Sequence, residues 1–157
     1  MNLKEEIKAL KEQIYASEVL LSKLEELAKE GQEFPQVGDT YWRIDDIGSV
    51  DNNFYNDYYG DHHRQAIGNF FKTEEQAEFA VEKLKVEAGL REFSRPFEYG
   101  ENCTEFYYDH EFGGIKFCTL TASQTQGAIY FESREKAEEA IDTVGEERIK
   151  KYIFEVE

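Results

Sequence analysis

The chain has 157 residues, and its 34 Asp and Glu outweigh 18 Lys and Arg to give a formal net charge of -16. Aromatic residues make up 15%, enough bulky apolar surface for a core, so composition argues against a wholly disordered chain. The acid excess disfavours simple attraction to DNA, RNA or anionic lipid, and no apolar run reaches the roughly 20 residues of a spanning helix.

The segment Met1 to Gln13 alternates charges and lacks the apolar stretch of a secretory signal, which sets the expectation of a cytoplasmic protein. Cys103 and Cys118 are the only thiols and no CxxC is present, so neither a disulfide framework nor a zinc site is expected.

The charge is unevenly spread. Residues 1–31 carry seven Glu and five Lys, whereas residues 32–157 carry 27 acids and 13 bases. Residues 1–31 read as one amphipathic helix, with Leu3, Ile7, Leu10, Ile14, Leu21, Leu24 and Ala28 at alternating steps of four and three. Ser17 is the polar residue in that register. This is the a/d seam of a short coiled coil and predicts self-association. Packing of the same stripe on the protein's own sheet is the other reading. Gly31 supplies a stop, and residues 32–39, with Pro35 and Gly38, read as a linker.

The predicted body, 40–157, is an α+β domain with a mostly antiparallel sheet, helices on one face and two similar halves, 40–92 and 103–157. Thr40 to Ile47 reads as a strand, and residues 49–62 as a long loop or irregular hairpin. A degenerate repeat at an offset of 60 aligns Phe70-Phe71-Lys72-Thr73 with Tyr130-Phe131-Glu132-Ser133. In each half aromatics end a strand, and Thr73 or Ser133 caps a helix. Ala77, Ala80, Val81 and Leu84 form the expected buried face of one helix. Ala137, Ala140, Ile141 and Val144 form that of the other. Between them, Glu105 to His110 and Ile115 to Thr121 read as a hairpin, Gly127 to Phe131 as a third strand, and Glu146 to Phe154 as a final helix.

Candidate chemistry is sparse. His62, His63, Asp109 and His110 are metal-ligating types, but no HExxH or His pair at i, i+4 is present, and neighbours on an extended chain point to opposite faces. No metal or other cofactor is expected. Cys118 sits in a predicted strand, where an inert buried thiol is the common case. No Gly-x-Ser-x-Gly or phosphate-cradling loop occurs, so no catalytic residue is assigned and the chain is read as non-enzymatic. Tyr41, Trp42, Asp45, Asp57, Arg64 and Asn69 are the candidate ligand- or partner-binding set. Aromatics with one Arg and paired acids can stack a ring and bond its edge, and the same residues can equally be sheet aromatics beside an ion pair.

The segments Gly38-Asp39-Thr40-Tyr41-Trp42, Asn56-Asp57, Arg64 and Gly68-Asn69-Phe70-Phe71-Lys72-Thr73-Glu74-Glu75-Gln76-Ala77-Glu78 resemble a group of small accessory proteins of phages and prophages of Gram-positive bacteria. Phe131-Glu132-Ser133, Ala137, Ala140-Ile141-Asp142 and Gly145-Glu146 are similar to the same group, while Phe54-Tyr55 stands where the group is expected to carry Trp. The resemblance carries no catalytic residues. It implies a host bacterial cytoplasm and action by binding a host or phage protein. An acidic surface then suggests an anti-defence inhibitor of a basic nucleic-acid enzyme such as a CRISPR nuclease, without direct nucleic-acid or membrane binding. The alternative is a protein that sequesters a small nucleotide-like signal.

Overall fold

A computed structural model describes residues 2–30 and 33–157, apart from the side chains of 26, 29 and 30. The predicted Gly31 stop and the first linker residue, Gln32, lie outside the described residues. The fold is α+β, in the order α1 (Leu3–Glu30), β1 (Thr40–Ile44), β2 (Val50–Phe54), α2 (Tyr59–Ala66), α3 (Glu74–Arg91), β3 (Cys103–Asp109), β4 (Gly114–Leu120), α4 (Arg134–Val144) and α5 (Glu146–Tyr152). Among the described residues no helix is long and apolar enough to cross a membrane.

Every described α1 side chain is exposed, including Leu3, Ile7, Leu10, Ile14, Leu21 and Leu24. The stripe is therefore not buried on the protein's own strands, as one of the two readings had it.

The strands form two antiparallel hairpins, β1–β2 and β3–β4. Each hairpin is extended by one bridge from the segment that precedes a capped helix. Trp42 of β1 exchanges two backbone hydrogen bonds with Phe71, and Thr104 of β3 exchanges two with Phe131, all at 2.8–2.9 Å. Phe71 and Phe131 are the aromatics paired by the repeat. Each chain then enters its helix two residues later under the same cap. Thr73 accepts from the Gln76 N–H and Ser133 from the Lys136 N–H, and Gln76 closes a capping box. The repeat is thus visible in backbone geometry. The expected third strand, Gly127 to Phe131, contributes only the bridges of Tyr130 to Arg95 and Phe131 to Thr104.

Two expectations about burial change. Residues 59–62, read as the end of a loop or irregular hairpin, instead open α2, which runs to Ala66; β2 supplies a hairpin strand before it. Leu84 is 56% exposed, and Val86 and Leu90 are buried in its place. At roughly 100° per residue, Val86 and Leu90 lie about opposite Ala77 and Val81 on α3. The helix accordingly buries one face near its start and the other near its end. It packs against β1 and β2 and also against α4 and α5. Val86 and Leu90 join Phe131, Ala137, Ala140, Ile141 and Ile149 in the main apolar cluster. Gly89 permits the close approach to α4, since a β-carbon there would meet Val144 Cγ2 at 3.0 Å.

Candidate functional site

The candidate set converges only in part. Tyr41, fully buried on β1, stacks on Phe70 with ring centres 3.9 Å apart. Its hydroxyl donates to Asp61 Oδ1 at 2.8 Å and accepts from Arg64 Nη1 at 2.8 Å and Asn53 Nδ2 at 3.3 Å. Asp61 and Arg64 come from α2, where an i, i+3 spacing places them on one side of the helix. Asp61 is fully buried, and its other oxygen accepts the Asn56 N–H at 2.9 Å.

Burial alone pushes the Asp61 carboxyl up. The hydrogen bonds from Asn56, Tyr41 and Tyr58, with the Arg64 charge, outweigh it and hold the group below the ordinary carboxylate value. Burial and the bond to Asp61 raise the Tyr41 phenol. The arrangement is a satisfied buried polar knot, and Arg64 is engaged within it.

The other four candidates lie around this knot. Trp42 is half-buried and tied by its backbone to Phe71. Asp45 accepts the N–H groups of Ile47 and Ser49 and so shapes the β1–β2 turn. Asn69 clasps the Ile44 backbone, accepting its N–H at 2.6 Å and donating to its carbonyl at 2.7 Å. Asp57, at φ +57°, accepts from the Tyr55 hydroxyl at 2.8 Å and lies 3.1 Å from His62 Nε2. Asp45 and Asn69 border an open groove of about 460 Å³ with Ile44, Ile67, Phe71 and Leu84 among its walls.

His62, His63, Asp109 and His110 are not assembled into one group. His62 and His63 are on helix α2, so their separation comes from the helical turn and not from an extended chain. His63 packs against Tyr59. Asp109 accepts the Glu111 and Phe112 N–H groups of the β3–β4 turn and pairs with Lys116, while His110 packs against Tyr108. Among the described residues no group of three His, Cys, Asp or Glu is placed to hold a metal ion. Of the thiols it is Cys103, at the start of β3, that is fully buried, while Cys118 is half-buried.

Sequence reasoning missed Asp61 as the anchor of Tyr41 and Arg64. Its signal was the spacing Asp61-x-x-Arg64.

The ionic pairing of the body decides what its surface presents. Arg43, Arg64, Lys83, Lys85, Lys116, Arg134, Lys136, Arg148 and Lys150 each face a carboxylate of the same chain. Lys72 and Lys151 lie near the rings of Phe34 and Tyr152, and Arg95 donates to the Asn102 carbonyl. Most body cations are therefore spent internally. Among the described residues, exposed Asp46, Glu74, Glu75, Glu78, Glu92, Glu98, Glu101, Glu132 and Glu135 make no ion pair.

No protein-family model and no curated protein matches the sequence. Among solved structures, a chain of the complex between SmCI and human carboxypeptidase A4 is similar to this one at 18% identity, over 70% of this chain and 67% of that chain, with a TM-score of 0.24. At that score the likeness carries nothing about fold or activity.

Proposed function

We propose that the chain is a non-enzymatic accessory protein of phage origin that binds a basic nucleic-acid enzyme through the acidic surface of residues 40–157, with α1 joining copies. The observation that carries this reading is the internal use of the body's cations, which leaves carboxylates such as Glu74, Glu75 and Glu78 uncompensated at the surface. Such a surface satisfies the same Lys and Arg groups that hold a phosphate backbone, and it gains most in a groove already selected for anions. The resemblance to phage accessory proteins supplies the setting, a bacterial cytoplasm with defence nucleases as targets.

The small-ligand reading asked Arg64 to meet an anionic group. That guanidinium already bonds Tyr41 and lies 3.4 Å from Asp61, so the acidic-surface reading is the better supported.

The test is binding of the purified protein to purified RNA-guided and restriction nucleases, with DNA as competitor. Affinity should fall at least about tenfold between low and moderate salt, as expected where several charge contacts are made. DNA should displace the protein, and the triple variant Glu74→Gln, Glu75→Gln, Glu78→Gln should bind more weakly. Absence of binding to every such enzyme at low salt overturns the reading.

A further inference from the structure

The exposed stripe of α1 has an internal order that selects its partner. We infer that it pairs with α1 of a second copy in antiparallel orientation, centred between residues 15 and 16; the inference builds on the self-association in the function proposed above. Three independent features point the same way.

The first is volume. Ser17 interrupts the apolar seam, and an open hollow of about 410 Å³ lies around it, lined by Leu10, Gln13, Ile14, Ser17, Glu18 and Leu21. In an antiparallel pair each a position faces a d position of the partner. Ile14 then faces Ser17, Ala28 faces Leu3, Ile7 faces Leu24, and Leu21 faces Leu10. Every small residue meets a large one, and Ile14 fills the Ser17 hollow. A parallel pair stacks Ser17 on Ser17 and Ala28 on Ala28, leaving two underfilled layers.

The second is charge. The row beside the seam reads Lys4, Lys11, Glu18 and Glu25, all exposed, with cations in one half and acids in the other. The same antiparallel register sets Lys4 beside Glu25 and Lys11 beside Glu18, each pair occurring twice by symmetry. In a parallel pair this row faces Glu6, Gln13, Leu20 and Leu27, which offers Lys11 one acid and the two glutamates no cation.

The third is the body. Residues 32–157 carry 27 acids against 13 bases. Parallel helices would hold two such bodies at one end. Antiparallel helices place them at opposite ends of a rod of about 42 Å, several screening lengths apart. The pair is then a two-headed display, able to engage two copies of a basic partner at once.

The experiment uses the purified full chain alone, so its failure leaves the acidic-surface reading standing. A spin label at Glu5→Cys, in a Cys118→Ser background, should report a label separation of about 35 Å, whereas parallel helices would hold the labels within about 20 Å. Lys4→Glu with Lys11→Glu, and separately Glu18→Lys with Glu25→Lys, should each weaken association at least about tenfold. Mixing the two variants should restore a heterodimer with the wild-type mass. A short label separation, a monomer at all accessible concentrations, or no recovery on mixing overturns the inference.

Discussion

The two halves of the body share a plan and fill it differently. In the first, the buried residue before the bridge on β1 is Tyr41, and it recruits Asp61 and Arg64 into a polar knot. In the second, the buried residue before the bridge on β3 is Cys103, and the neighbouring Phe131 leads into the apolar cluster of α3, α4 and α5. The bridge and the cap are common to both, so the backbone plan tolerates either filling. The lesson is one of cost. An apolar filling gains stability with area buried, whereas a polar one holds only while every donor and acceptor keeps its partner.

That contrast can be broken most severely in the second half. Phe131→Ala removes a fully buried ring that stacks near Phe106, and a loss of about 3–5 kcal/mol is expected from urea unfolding. If the loss were below about 1 kcal/mol, the second half could not be the principal core.

The knot comes next. Asp61→Ala leaves the Tyr41 hydroxyl and the Asn56 N–H without their buried acceptor, for an expected loss of about 2–3 kcal/mol. Because the folded Asp61 carboxyl lies below its ordinary value of 3.8, the unfolded chain binds the proton more readily. Its contribution is complete above that ordinary value and disappears as pH falls through the lower folded value. Unfolding midpoints of wild type and Asp61→Ala should therefore converge on acidification below about pH 4, and a gap that persisted would remove ionised Asp61 as its source. At the alkaline end the sign reverses. The raised Tyr41 phenol favours the protonated folded state, so stability should decline above about pH 10, less steeply in Tyr41→Phe.

The smallest effect sharpens what the halves share. Thr73→Ala and Ser133→Ala each remove an equivalent cap, and each should cost about 1 kcal/mol in thermal or urea unfolding. A cost confined to one half would mean that the matching geometry is not matched in energy.

Much of this plan was legible in the sequence because local signals agreed. Thr73 and Ser133 each stood between paired aromatics and an alanine-bearing helix, and Glu111 to Gly114 marked the second hairpin turn. α2 was not legible, because Asp61 is its one buried residue and an eight-residue helix without an apolar stripe has no period to read. The burial of α3 was half legible. The start of the helix follows the expected face through Ala77 and Val81, but the end turns to Val86 and Leu90, since α4 and α5 contact it from elsewhere. Among the site residues, Tyr41 and Arg64 do meet, but in a hydrogen bond of the buried knot that their sequence separation does not announce. Asp45 and Asn69 serve the backbone of the first hairpin, a role that only the turn and clasp geometry reveals.

Helix α3 belongs by sequence to the first half, yet its closing turns complete the core of the second. The join between the repeated units in the chain is therefore not a seam in space. Cutting the polypeptide after residue 92 would uncover Val86 and Leu90 of the first unit, and it would take from the second the wall against which Phe131 and Ile149 close. The two units are mutually dependent, and neither could be exchanged as an independent module.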